Sequence, residues 1–264
     1  EYAKGGDGNK LHKKYPDLTP IQKLEHARDL ARVIADMQRI DGENRPSLVH
    51  GDLKPCNLML TSEGKLKLND FNKGRPLYWN KNTKSACAYV WPNNCGEEGA
   101  VTYFRSPEEC AHKAVTEKAD TYSLGSLLYF LLTGEKSYRL EPTDTMNHPN
   151  ATQTYQSLNQ TEIAEYIVQG KIPHLPEHIG LDPQQFEESK DVNILKRKTR
   201  IRRRKYNQAT LEHDDTKAIE AIVHAMRRAF TYHAQERPSA RWIADYLEDE
   251  LRRHHGAKGK GNSN

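Results

Sequence analysis

Apolar residues recur three or four apart at Ile21, Leu24, Ala27, Leu30, Ala31, Ile34 and Met37, the spacing of one buried face of an α-helix. Thr19 followed by Pro20 fits an N-cap and a first helical position, so the pattern predicts a long amphipathic helix over 19–40 that stops near Asp41-Gly42. A different period follows. Leu58 to Leu60, and then Leu66 and Leu68 alternating with Lys65 and Lys67, are separated by Ser62-Glu63-Gly64 and predict a small β-hairpin after a polar loop. Residues 120–133 are apolar on nearly every face and end at Gly134, the mark of a buried central helix with a glycine just past its end. Helices are expected at 161–169, 216–231 and 239–251, the last opened by Pro238-Ser239. The Gly-rich residues 1–10 read as a linking end, 72–100 as a long exposed loop, 135–160 and 181–215 as irregular inserts, and 252–264 as a flexible basic tail.

A length of 264 residues allows one large domain or two small ones, and 36% hydrophobic with 29% charged residues suits a globular chain rather than a fibrous or disordered one. The longest apolar stretch, around Leu127 to Leu132, falls far short of the roughly 18 residues a membrane-spanning helix needs, and no signal peptide is visible. The net charge of +4 is local: the run Lys196 to Lys205 holds eight Lys or Arg, and removing those eight takes the balance to −4. Such a run suits a nuclear-import signal, a phosphate-binding patch or a solvated loop, and nucleic acid is not the expected partner. Cys56, Cys87, Cys95 and Cys110 form no C-x-x-C pair and have no His at zinc-ligand spacing, which argues against a disulfide framework or structural metal site and for a reducing, cytoplasmic home with a nuclear option.

The densest chemistry is His50-Gly51-Asp52-Leu53-Lys54-Pro55-Cys56-Asn57, followed eighteen residues after Asp52 by Asp70-Phe71-Asn72. A lone H-x-D is ordinarily a loop cap; here the company changes the reading. Ser106-Pro107-Glu108, Asp120-Thr121-Tyr122-Ser123-Leu124-Gly125 and Arg237-Pro238-Ser239 follow in order. The series resembles the protein-kinase catalytic domain: H-R-D-L-K-P-x-N, D-F-G, A-P-E and D-x-W-S-x-G over roughly residues 11–251. The resemblance implies a mainly α (α+β) fold, a kinase-like large lobe that is helical with a small β-hairpin around the catalytic loop. It also implies ATP and Mg²⁺ as cofactors and a protein substrate. Asp52 would orient the substrate hydroxyl and accept its proton, and Lys54 would contact the transferring phosphoryl group. Asn57 and Asp70 would hold magnesium, for which hard oxygen ligands are suited, and Met59 would lie beneath the adenine. His50 and Phe71 would be structural, Asp120 would hold the backbone of the catalytic loop, and Glu108 would pair bidentately with Arg237. Lys54, two residues after Asp52, resembles Ser/Thr rather than tyrosine kinases.

The chain departs from that pattern in informative places. Gly51 stands where many kinases carry the Arg that binds a phosphorylated activation loop, which argues against switching through that contact. Asn72 replaces the Gly of D-F-G, and Asn is the non-Gly residue that best tolerates positive φ. The stretch from Asp70 to Glu108 reads as an extended activation segment carrying Cys87 and Cys95, with redox control a further option. No Gly-rich phosphate loop and no V-A-I-K-type lysine precede His50, and the first Met is Met37; the expectation is the large lobe of a longer kinase, binding ATP weakly on its own. Two alternatives stand beside this reading. Aminoglycoside or choline phosphotransferases share H-G-D-x-x-x-x-N but lack the A-P-E segment, and a non-catalytic scaffold would use the lobe as a binding surface.

Overall fold

The computed structural model describes residues 5–40, 45–90, 95–98, 101–142, 155–176, 179 and 213–260. The helices are α1 (Leu11–Lys14), α2 (Pro20–Gln38), α3 (Pro107–Cys110), α4 (Lys118–Thr133), α5 (Gln160–Val168), α6 (His213–Ala229) and α7 (Ala240–Lys260). Between them run short strands: β1 (Gly6–Asp7), β2 (Leu48–Val49), β3 (Leu58–Leu60), β4 (Leu66–Leu68), β5 (Arg75–Pro76), β6 (Trp79–Asn80), β7 (Ser85–Ala86), β8 (Tyr89–Val90), β9 (Ala114–Val115), β10 (Leu140–Pro142) and β11 (Tyr155–Ser157). The molecule is mostly helical with small antiparallel sheets, consistent with a kinase fold.

Helix α2 begins where the sequence places its cap. The Thr19 hydroxyl accepts from the Gln22 amide while the Gln22 side chain accepts from the Thr19 amide, so two otherwise orphaned donors are satisfied. Its apolar face, with Leu24, Leu30 and Ile34 almost without exposure, packs on α6 and α7. Helix α4 is the centre of the core: Leu124, Leu127, Leu128 and Leu131 are all buried, and α6 and α2 cover it. Gly134 ends it with φ +77°, a left-handed conformation that would strain any residue with a Cβ, and its amide closes on the Phe130 carbonyl.

The hairpin β3–β4 is antiparallel with Leu58 opposite Leu68, and β1 adds to its other edge with Asp7 opposite Met59. Residues 6–10 are therefore part of the structure, a strand and a single tight turn, rather than a frayed end; edge pairing with β3 compensates for their weak local propensity. The loop at 72–100 likewise carries ladders, β5 on β2, β6 on β7 and β8 on β9, and the 135–160 insert carries β10 paired with β11. These two- and three-residue pairings have no period to read in the sequence. Helix α7 runs on to Lys260, past the point where its apolar pattern stops, so most of the expected basic tail is helical backbone. The Lys196–Lys205 run and most of the 181–215 insert lie outside the described residues, although 213–215 already belong to α6.

The cysteines correct the expectation of free thiols throughout. Cys95 and Cys110 form a disulfide, their Cα atoms 5.1 Å apart across fifteen residues of sequence, while Cys56 and Cys87 are exposed free thiols. The pairing ties the polar segment to the end of α3, a proximity made by the fold and invisible in the cysteine spacing. Among the described residues no helix is long and apolar enough to cross a membrane.

Candidate active site

The loop between β2 and β3 is pinned from below by the first turn of α4. Asp120, 1% exposed, accepts from the His50 amide at 2.7 Å and the Gly51 amide at 3.0 Å, one bond on each carboxylate oxygen. Burial pushes its carboxyl up to about 7, and the two amide bonds oppose that rise. Gly51 sits at φ +69°, the left-handed region in which a side chain is costly, so the turn that presents Asp52 is made with a residue that bears no strain there.

His50 braces the same loop sideways. Its Nδ1 accepts from the Asp52 amide at 3.3 Å, so the proton sits on Nε2, which donates to the Asn69 carbonyl at 3.1 Å. Burial lowers its pKa, keeping it a neutral ring in this role, and the Phe71 ring lies 4.7 Å away. The Asn69 amide in turn donates to the Asn57 carbonyl at 2.9 Å. Through these bonds the segments carrying Asp52, Asn57 and Asp70 are held against one another.

Asp52 is 5% exposed and surrounded by cations. Lys54 Nζ lies 2.6 Å from Oδ2, while Arg105 Nη2 at 3.0 Å and Lys73 Nζ at 3.3 Å lie on Oδ1. Burial alone would raise the Asp52 carboxyl, but the Lys54 hydrogen bond and the charges of Lys54, Arg105 and Lys73 together hold it below the usual aspartate range. Asn57 Nδ2 donates to the Asp52 carbonyl at 2.8 Å and to Oδ2 at 3.2 Å, which fixes the amide with its oxygen free of that duty. Asp70 adopts φ +63°, an uncommon conformation for a residue with a Cβ and the kind of local strain found at functional positions.

The donor chemistry suits magnesium. Asn57 Oδ1 and the Asp70 carboxylate are hard oxygens, and among the described residues no group of three or more His, Cys, Asp or Glu could cage a metal alone. Mg²⁺ characteristically takes one or two protein oxygens and completes its octahedron with phosphate oxygens and water. Met59 stands on β3, half-buried, opposite Asp7 of β1. Phe71 is 46% exposed.

A second buried pair anchors α3. Arg237, 1% exposed, donates from Nη1 to Glu108 Oε1 at 2.7 Å and from Nη2 to Oε2 at 3.0 Å. Its remaining donors reach the carbonyls of Thr231, Lys118 and Tyr232, so all five N–H groups of the guanidinium are used. The structure gathers His50, Asp52, Lys54, Asn57 and Asp120 in one bonded loop cluster, with Phe71 against His50 and Glu108 paired with Arg237, while Met59 stands on β3 and the Asp70 carboxylate accepts from the Asn72 amide at 3.4 Å. It adds three that were not singled out: Lys73, Arg105 and Glu109. The i,i+4 spacing of Arg105 and Glu109 on either side of Pro107 was the available signal, though it indicates only that they can meet, not that they meet Asp52.

Comparison with known proteins points the same way. The chain matches the protein kinase domain family over residues 1–246. It is 33% identical over 127 residues to a probable serine/threonine-protein kinase of Streptomyces coelicolor, covering 46% of this chain and 18% of that protein. It is 32% identical over 152 residues to the serine/threonine-protein kinase VIK of Arabidopsis thaliana, covering 56% of this chain and 32% of the relative. Serine/threonine-protein kinase PknB of Mycolicibacterium smegmatis is 32% identical over 132 residues, 47% of this chain and 20% of its own length. The alignments thus span less than a third of the curated relatives. With the match running through nearly the whole sequence and through the loop that carries Asp52, this chain belongs to the protein kinase domain family.

Proposed function

We propose that this chain is the large lobe of a Ser/Thr protein kinase, using Mg-ATP to phosphorylate hydroxyls of protein substrates. The observation that carries the proposal is the arrangement on Asp52: a buried carboxylate bonded to Lys54 and braced by Asn57, with Asp70 delivered alongside by the Asn57–Asn69 and His50–Asn69 bonds. The Ser/Thr preference rests on Lys54 and on the names of the relatives.

The chemistry follows from the charges. A loose phosphoryl-transfer transition state spreads negative charge over three oxygens, so catalysis is mostly positioning and neutralisation. Asp52, held ionised by its cations, orients the acceptor hydroxyl and takes its proton as the new P–O bond forms and the γ-phosphorus–oxygen bond to the departing ADP breaks. Lys54, 2.6 Å from Asp52, would offset charge on the transferring phosphoryl group. Asn57 and Asp70 offer the oxygens for magnesium, which when bound neutralises the phosphate oxygens. Met59 offers an apolar face for the adenine. The Gly-rich loop and V-A-I-K lysine of the family are not among residues 1–49, so those parts of the nucleotide site are not drawn from this stretch.

The test is radiolabelled phosphoryl transfer from Mg-ATP to a Ser/Thr peptide library by the native full-length protein, with Asp52→Asn alongside. Transfer to Ser or Thr that disappears in Asp52→Asn supports the proposal. A wild type that binds partners but transfers nothing supports a scaffold instead.

A further inference from the structure

The most buried of the cations on Asp52 comes from the activation segment. Arg105 donates from Nη1 to the Gly51 carbonyl at 2.6 Å and to Glu109 Oε1 at 3.2 Å, and from Nη2 to Asp52 Oδ1 at 3.0 Å. Its side chain is 4% exposed and that of Glu109 is also 4% exposed, whereas Lys54 and Lys73 are 19% and 44% exposed. The two lysines can turn into water; the guanidinium cannot, and its planar fork fixes three acceptors in one geometry.

Glu109 divides its carboxylate between two tasks. Oε2 accepts from the Ser106 amide at 2.8 Å and the Ser106 hydroxyl at 2.9 Å, which closes the capping box of α3, and Oε1 holds Arg105. A continuous chain of bonds therefore runs from the N-cap of α3 through Glu109 and Arg105 to Asp52. Residue 51 has no side chain with which to reach the segment, and Arg105 instead grasps its carbonyl.

We propose that Arg105 is a positioning residue, set by Glu109, that orients the Asp52 carboxylate and couples the activation segment to the catalytic loop through an internal cation. This rests on the kinase reading and adds to it the way the segment communicates with the site. Because the coupling charge belongs to the chain itself, the catalytic loop is ordered by the docking of α3, and Glu109, besides capping α3, acts on Asp52 through Arg105.

The experiment compares Arg105→Met, Arg105→Lys, Glu109→Gln and the Arg105→Met/Glu109→Gln double variant in the full-length protein, with kcat and KM for Mg-ATP and peptide expressed per folded molecule from near-UV circular dichroism. Arg105→Met is expected to lower kcat about 10- to 100-fold, the range for a hydrogen bond to a charged group, with KM for ATP within about twofold of wild type. Arg105→Lys should recover part of the loss by keeping the charge without the fork, and the double variant should lose no more than Arg105→Met. A kcat per folded molecule in Arg105→Met equal to wild type, or losses that multiply in the double variant, would overturn the proposal. Should Arg105→Met fail to fold, Arg105→Lys and Glu109→Gln carry the same comparison. Hydrogen exchange of the peptides spanning 48–57 and 101–111 decides the matter independently of turnover. Exchange about tenfold faster in both peptides in the folded Arg105 variants upholds the coupling, and unchanged exchange defeats it. A wild type with no transferase activity but with this exchange response would sink the kinase reading and leave the coupling standing.

Discussion

Asp52 and Asp120 are two aspartates buried at the same loop, one in it and one beneath it, and the fold treats them in opposite ways. Asp120, in the first turn of α4, faces backbone amides, and its carboxyl is pushed up to about 7 by burial. Asp52, at the mouth of the loop, faces Lys54, Arg105 and Lys73, and its carboxyl is held below the ordinary range despite burial acting the other way. Fuller burial at Asp120 and cations at Asp52 yield different acids. Amides supply direction and hold the loop's shape; cations supply charge and keep a carboxylate ionised for chemistry. The Glu108–Arg237 pair belongs with Asp120, since every donor of its guanidinium is spent on structure.

Each part of this contrast can be broken separately. Asp52→Asn, nearly isosteric, should reduce phosphoryl transfer about 1000-fold while leaving the unfolding midpoint within a few degrees of wild type, as checked by initial rates and thermal denaturation. Arg237→Met strands Glu108 in the interior and should cost about 3–5 kcal/mol in urea unfolding; a loss below about 1 kcal/mol would mean that water reaches the site. Asp120→Ala orphans the amides of His50 and Gly51, for which about 2–4 kcal/mol is expected, together with faster hydrogen exchange at both amides.

The smallest effect sharpens the comparison with a buried cation. Lys23, 6% exposed, donates to the Leu132 carbonyl at 2.8 Å, and burial brings its pKa down to about 8 from an ordinary 10.5. Between those values the unfolded chain holds a proton that the folded chain has released, so folded stability rises with pH from about 8 to about 10.5. Urea unfolding of wild type and Lys23→Met across that window should differ in slope, the wild type gaining up to about 3 kcal/mol that the variant does not gain. Parallel curves would show that the ammonium is hydrated in the folded protein.

Much of this was legible in the residues. The 3.6-residue period predicted α2 and the all-round apolar run predicted α4, each to within two residues, Thr19-Pro20 marked the start of α2 and Gly134 the end of α4, and the alternation of Leu66 and Leu68 marked the hairpin. The paired strands within 72–100 and the addition of β1 to β3 were not, because a two-residue ladder has no period and its partner is distant in sequence. The Cys95–Cys110 bond was likewise hidden, since pairing depends on where α3 docks rather than on spacing.

The sequence by itself determined which residue types stand in the candidate site, the order in which they occur and the helices that bury the core, since these follow from local period, capping and motif. Only the tertiary structure decided what each acid faces. Partners for Asp52 arrive from 2, 21 and 53 residues away, and those for Asp120 from about 70 residues away. The charge state of a buried carboxylate is set by groups within a few ångströms, and chain separation says nothing about which groups those will be.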